Sequence, residues 1–133
     1  MQFALGGRGD PDQHEYFEQL LKVSREHGIV PNFTTSGFGM TPEIADLCKR
    51  HCGAVAVSWY RSSYTFDAIR MLLETGVKTN IHYVLGNSSI EEATHRLAED
   101  DFPPGVNAVI FLLHKPAGLG SADNVLKVGD PRL

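Results

Sequence analysis

The chain has 133 residues, of which 42% are hydrophobic and 21% are charged, a composition typical of one globular domain and not of a disordered chain. Its formal net charge of −4 argues against a nucleic-acid-binding face, because such faces concentrate lysine and arginine. No apolar run approaches the length of a membrane span, and no signal-peptide pattern is visible. We therefore expect a cytoplasmic protein whose partners are neither nucleic acids nor membranes.

The first half of the chain alternates strand and helix patterns. A short apolar run at residues 3–5 precedes a helix pattern that begins at Asp12 and ends at Gly28. Glu15 lies three residues after Asp12, so we expect a capping box there. A second strand at residues 29–35 leads to a helix that Thr41 caps and that stops at Gly53.

The second half continues the alternation. A strand at residues 54–58 precedes a helix that Thr65 opens and Gly76 closes, and a fourth strand follows at residues 77–85. Ser88 and Glu91 have the spacing of a capping box and predict a fourth helix. The fifth strand covers residues 108–113, and we expect the tail that begins at Lys115 to be partly loose, since it shows no period.

This alternation predicts an α/β fold. Strands recur roughly every 25 residues, which is the repeat of a (β/α) barrel. We expect about five parallel strands in sequential order, with four helices on the outside, in a partial TIM-like barrel that is curved but not closed. The barrel-like domain would cover residues 1–118, and residues 119–133 would form a C-terminal tail.

Polar and glycine residues follow the predicted strands, where parallel α/β folds bind their ligands. The first strand leads into a run that contains two adjacent glycines, which let a ligand approach the backbone closely. Its spacing is not that of the dinucleotide-binding fingerprint. The candidate binding residues at these strand ends are Gly6, Gly7, Gly9, Asp10, Thr35, Ser58, Asn80 and His82.

The order and spacing of these motifs resemble those of radical S-adenosylmethionine (SAM) enzymes over residues 2–118. The run Gly6-Gly7-Arg8-Gly9-Asp10-Pro11 is similar to the glycine-rich motif that holds the methionine amino group in that family, with Asp10 where Glu is usual. Thr35-Ser36-Gly37 is close to the family's Thr-Asn-Gly. The resemblance implies SAM as the cofactor, with Ser58 at its ribose or carboxylate and with Asn80 and His82 at its ribose.

One departure concerns the iron–sulfur cluster. The family's C-x-x-x-C-x-x-C motif is absent, and the two cysteines of the chain, Cys48 and Cys52, fall in a predicted helix. Three thiolates are needed for the [4Fe–4S] cluster, so we expect it only in a full-length parent and expect no metal here. The chain would be a fragment, strands two to six of a six-stranded partial barrel, that cannot itself cleave SAM. The residues leave open whether it is an enzyme.

Two other functions fit the same residues. One is a non-catalytic α/β module that works by association. The other is a small phosphate-binding half-barrel that uses helix N-termini and the loops at Gly37 or Gly86 as anion sites. Each candidate also has a structural interpretation: Ser58 can simply end a strand, and His82 can be a neutral histidine inside the barrel. Packing is the favoured interpretation for Trp59 and Tyr60.

The open barrel also predicts self-association. An incomplete barrel leaves the first strand with an unpaired edge and leaves inward apolar side chains open to water. We expect Val55, Val57, Ile81 and Ile110 to be such inward residues. The simplest form of self-association is a two-fold homodimer that covers the open barrel face or pairs the strand edges.

Overall fold

Five parallel strands form one sheet in the order in which they occur along the chain. This computed structural model describes all 133 residues. The strands are β1 (Gln2–Leu5), β2 (Val30–Thr35), β3 (Val55–Ser58), β4 (Thr79–Leu85) and β5 (Ala108–Leu113). The helices are α1 (Phe17–Glu26), α2 (Pro42–His51), α3 (Ser63–Thr75) and α4 (Ile90–Ala98). The sheet curls into a half-barrel with the four helices on its outer side, which confirms the predicted fold.

The core lies between the sheet and the helices. Successive side chains of a strand point to opposite faces, and in β4 the residues Thr79, Ile81, Tyr83 and Leu85 are buried while the alternate ones are at least partly exposed. The fully buried side chains of the strands pack with those of the helices, among them Leu21, Ala45, Cys48, Ala68, Leu72 and Ala93. The helices therefore cover one face of the sheet and leave the concave face open.

The prediction of inward apolar residues was wrong for three of the four. Val55, Val57 and Ile81 have no solvent exposure and belong to the core under the helices. Only Ile110 lies on the concave face, beside His82 in the register of β4 and β5. The run Ala54-Val55-Ala56-Val57 is apolar at every position, so the sequence pattern of β3 does not distinguish its two faces. In β4, Ile81 lies between the polar residues Asn80 and His82, and side chains at alternate positions point to opposite faces, so Ile81 lies on the face opposite to theirs.

Three helix starts differ from the sequence prediction. The first helix begins at Phe17, and Asp12 lies instead in a 3-10 turn over Pro11–Gln13, where no capping box forms. The chain leaves that turn in an extended conformation at His14, whose ring nitrogen Nδ1 accepts the N–H of Tyr16 at 3.1 Å. This extended residue separates the turn from the helix, so Asp12 is no longer at the helix end.

The other two differences are small. The third helix begins at Ser63 after Ser62, and the hydroxyl of Thr65 pairs with that of Ser62 at 2.8 Å. The predicted box of Ser88 and Glu91 does not form, because α4 begins at Ile90 after Ser89. Thr41 caps α2 as predicted, since its Oγ1 accepts the N–H of Ile44 at 3.2 Å.

The tail is irregular but docked. It contains a 3-10 turn at Ala122–Asn124, and the side-chain amide of Asn87 donates to the carbonyls of Asp123 and Val125. The Oδ1 atom of Asn87 accepts from Arg132 at 2.9 Å. These bonds hold the tail against the loop between β4 and α4, whereas the sequence predicted a partly loose segment.

Candidate functional site

The concave face carries a polar set of side chains at its centre. Thr34 of β2, Asn80 and His82 of β4, and Ser58 of β3 occupy the strand positions that alternate with the buried core residues. Ser58 lies beside His82 in the register, and the Oγ1 of Thr34 lies 3.4 Å from the Nδ1 of His82. Asn80 and His82 thus share the concave face. Burial lowers the pKa of His82.

The glycine-rich loop lies at the carboxyl end of β1 and is open to solvent. Gly6, Gly7 and Gly9 are exposed, and a Cβ atom built on Gly6 or Gly7 would meet nothing within 4 Å. Gly9 has φ +94, a conformation that favours glycine. A ligand can therefore approach the backbone of Gly6 and Gly7 without displacing any protein atom.

Asp10 joins this loop to the one that follows β2. Its Oδ1 accepts the backbone N–H of Ser36 at 2.9 Å, and its Oδ2 accepts the Ser36 hydroxyl. A second hydrogen bond connects the same two segments, because the Nε2 of Gln13 donates to the carbonyl of Gly39 at 3.1 Å. The carboxylate of Asp10 therefore positions two neighbouring loops at the rim of the half-barrel.

Thr35 lies on the opposite side of the sheet from the other candidates. Its side chain is buried, and its Oγ1 accepts the N–H of Gly37 at 3.0 Å. Nearby, burial raises the pKa of Asp12. Thr35 therefore shapes the loop from the helix side, whereas Thr34 and Ser36, its neighbours in sequence, lie at the open side.

A cleft of about 390 Å³ opens along the carboxyl ends of β2–β5. It brings together Ser58 and His82 with Thr34, Tyr60, Arg61 and Asn124. The glycine-rich loop borders a separate depression of about 220 Å³ at the end of β1. Of the predicted candidates, the three glycines and Asp10 border the depression and Ser58 and His82 line the cleft, whereas Asn80 and Thr35 line neither.

Sequence reasoning missed a polar network behind this cleft. Glu92 of α4 accepts from Arg61, Arg96 at 2.8 Å, Tyr83 at 3.1 Å and Trp59 at 3.3 Å. Burial opposes the ionisation of Glu92, but these hydrogen bonds together lower its pKa to about 2. Trp59 packs in the core as predicted, whereas Tyr60 is exposed. Arg61 and Trp59 lie 31 and 33 residues from Glu92 along the chain, so no local motif signals their part of the network.

The two cysteines lie away from this rim. Cys48 is buried in α2, where a hydrogen bond with Cys52 and burial both raise the pKa of its thiol. No group of three or more histidine, cysteine, aspartate or glutamate side chains is arranged to hold a metal ion. The residues present therefore do not form a ligand set for an iron–sulfur cluster. No helix is long and apolar enough to cross a membrane.

No family model matches the chain, and no curated protein matches it in sequence. Solved structures do match its fold. Native anSMEcpe with bound AdoMet and the Cp18Cys peptide superposes with a TM-score of 0.74 at 20% identity, over 97% of this chain and 43% of that one. Native anSMEcpe with bound AdoMet alone gives a TM-score of 0.73 at 18% identity, over 97% and 42%.

TYW1 with a lysine-pyruvate adduct bound gives a TM-score of 0.63 at 15% identity, over 97% of this chain and 46% of that one. The chain therefore spans less than half the length of each of these enzymes. They are radical SAM enzymes, and the match to their barrel confirms the resemblance at the level of the fold. The five-stranded half-barrel has the fold of part of a radical SAM domain.

Proposed function

We propose that this chain is the SAM-binding half-barrel of a radical SAM enzyme. The observation that carries the proposal is the glycine-rich loop, whose two adjacent glycines are open to close approach at the same rim as a polar cleft. SAM is bound in the anSMEcpe structures that share the fold. A loop that exposes its backbone groups beside a polar concave face suits a ligand with a charged end and a hydroxyl-rich middle.

Each end of that ligand has residues to hold it. The backbone of Gly6 and Gly7 would bind the methionine end of SAM, since no side chain stands in the way. Ser58, Asn80 and His82 offer a hydroxyl, an amide and an imidazole for the ribose. Asp10 would act indirectly, by positioning the loops around SAM, because both of its carboxylate oxygens already accept hydrogen bonds from Ser36.

A cluster-bearing segment is required for the radical chemistry that SAM supplies in such enzymes, and we propose that a longer parent protein provides it. The two cysteines of this chain are one short of a cluster ligand set, and Cys48 is buried under the sheet. On this proposal the chain by itself binds SAM without cleaving it. Free thiols fit a reducing compartment, so we place the protein in the cytoplasm.

Of the alternatives, the phosphate-binding half-barrel has less support. At the start of α4 the N–H of Ser88 donates to the Oδ1 of Asn124, and those of Ser89 and Ile90 donate to the carbonyl of Gly86. The donors that an anion would need at that loop are thus already used. Association fits better, since Val84, Ile110 and Leu112 form an exposed apolar strip on the concave face. We propose that this open face also forms a homodimer, for which concentration-dependent light scattering is the test.

Calorimetric titration with SAM at millimolar concentration tests the main proposal. Gly7→Val should abolish binding, because its side chain would occupy the space that the ligand needs. The same variant should keep the melting temperature of the native chain, since a Cβ there meets no protein atom. Ser121→Val, an exposed position in the tail, is the control for a surface valine. Equal SAM affinity in the Gly7→Val and native proteins contradicts the proposal.

A further inference from the structure

Arg61 lies three residues after the end of β3 and has an unusual backbone conformation. Its φ is +61, and Asp100 is the only other non-glycine residue with a positive φ. Such a conformation is strained for a residue other than glycine and persists where the surroundings hold it in place. Here the guanidinium is fixed by three hydrogen bonds, and it lies over the Tyr83 ring at 5.1 Å from the centroid. The arginine is thus rigidly placed at the rim of the concave cleft.

Those three bonds leave part of the guanidinium free. Its Nε donates to Glu92, one N–H of Nη1 donates to the carbonyl of Trp59 at 3.1 Å, and one N–H of Nη2 donates to the Tyr83 hydroxyl at 3.0 Å. A guanidinium has five N–H groups, two of them on each Nη atom. One N–H on each Nη atom therefore has no acceptor in the protein. The side chain is 42% exposed, so a ligand can reach these groups.

The charges around the cleft favour an anionic ligand group at this position. None of the five strands contains an aspartate, glutamate, lysine or arginine. Arg61 is the sole residue of those four types among the side chains that line the cleft. The acidic and basic residues of the chain therefore all lie in its helices, turns and loops. The planar guanidinium is the side chain whose donors best match a carboxylate or phosphate.

We propose that Arg61 binds the carboxylate or phosphate group of a second ligand, the substrate, that occupies the concave cleft beside SAM. This inference rests on the proposed function. SAM has one carboxylate, bonded to the same carbon as the amino group that Gly6 and Gly7 would hold. Neighbouring strands are about 4.8 Å apart. Arg61 contacts Tyr83 of β4, three strands from the glycine-rich loop of β1, so its free N–H groups face a different anion.

The test uses anion titrations followed by NMR. The chain has a single tryptophan, and the indole N–H of Trp59 donates to Glu92 beside Arg61. Inorganic phosphate and acetate are the probes, with acetamide as the uncharged counterpart of acetate. We expect saturable shifts of the Trp59 indole and Arg61 Nε signals with both anions and none with acetamide. In Arg61→Gln the anion affinity should fall at least about tenfold.

Arg96→Gln is the matched control, because Arg96 pairs with the same carboxylate and stacks on Trp59 but does not line the cleft. Its anion affinity should stay within about twofold of the native value. The native titration decides the proposal even where a variant fails to fold: an absence of saturable shifts with either anion overturns it.

A parallel SAM titration distinguishes the sources of the anion. We expect Arg61→Gln to keep the SAM affinity of the native chain. A loss of about tenfold in Arg61→Gln but not in Arg96→Gln would assign Arg61 to the carboxylate of SAM and overturn the second ligand. If the native chain binds anions but not SAM, the proposed function fails and the anion site at Arg61 stands by itself.

Discussion

The two faces of the sheet are built from alternate residues of the same strands, yet they differ in almost every property. On the helix side of β3 and β4, Val55, Val57, Ile81 and Tyr83 have no solvent exposure. On the concave side of the same strands, Ser58 and His82 remain partly exposed and line an open cleft. One face stabilises the fold through apolar burial, and the other is free to carry polar groups.

This separation explains how so short a barrel segment keeps a polar concave face. Burying apolar side chains stabilises a fold by about 25 cal/mol per Å² removed from water, and here that burial lies almost wholly between sheet and helices. A half-open face has water beside it, so its hydroxyl and amide groups need no internal partners. The concave residues can therefore be replaced, or bind a ligand, with little cost to the fold.

Two adjacent residues of β4, one on each face of the sheet, test this difference in stability. Ile81→Ala should destabilise the protein by about 2–5 kcal/mol, since it leaves a cavity in the core. His82→Ala should cost about 1 kcal/mol or less, because the one hydrogen bond of its side chain, with Thr34, is long at 3.4 Å. Urea denaturation measures both. Equal losses would show that the concave face is as important for stability as the core.

The rim that joins the two faces is tested at Asp10. Asp10→Ala should cost about 1–3 kcal/mol, because the N–H and hydroxyl of Ser36 lose their acceptor. It should also speed hydrogen exchange at the Ser36 amide and weaken SAM binding. Asp10→Asn, which keeps one side-chain oxygen as an acceptor, is the control. Unchanged exchange at Ser36 in the alanine variant would contradict a positioning role.

The network behind the cleft predicts a dependence of stability on pH. Glu92 has a pKa of about 2, below its ordinary value of 4.5, so its ionised form stabilises the folded state at neutral pH. That contribution is lost as the pH falls from about 4.5 to about 2. The difference in stability between the native and Glu92→Gln proteins should therefore be largest at neutral pH and shrink in acid. A difference that does not change with pH would show that the charge of Glu92 is unimportant.

Protonation of His82 on the concave face should have a small effect on SAM binding. Burial lowers the pKa of its imidazole below 6.5, so the ring is neutral at pH 7, and protonation of it weakens folding as the pH falls below about 6.5. SAM carries a positive sulfonium, and a charged His82 should repel it. Calorimetry across this pH range should show weaker SAM binding in acid for the native protein but not for His82→Gln. An NMR titration with a pKa of 6.5 or higher would contradict the premise.

Local patterns in the sequence were enough to predict the architecture. Helical periodicity, punctuated by glycine and proline, separates the elements, and the fifth strand lies at Ala108–Leu113 as predicted. Thr41 and Pro42 predicted the start of α2 correctly. These signals depend on a few neighbouring residues, so they can be read from the sequence without knowledge of the tertiary contacts. The glycine-rich loop belongs to the same class, because its freedom of approach depends on glycine alone.

In β3 the packing of the helices, and not the local sequence pattern, determines which face of the sheet each residue occupies. In β3 the run Val-Ala-Val is apolar on both faces, and only the packing of the helices buries Val55 and Val57. Thr35 and Thr34 are chemically identical neighbours, yet the sheet turns the first into the core and the second toward the cleft. Hydrogen-bond partners that are far apart in the sequence could not be predicted either. Asp10 accepts from Ser36, 26 residues away, and Arg61 donates to Glu92, 31 residues away. A side chain's role at such distances depends on where the folded backbone brings it, which no local pattern encodes.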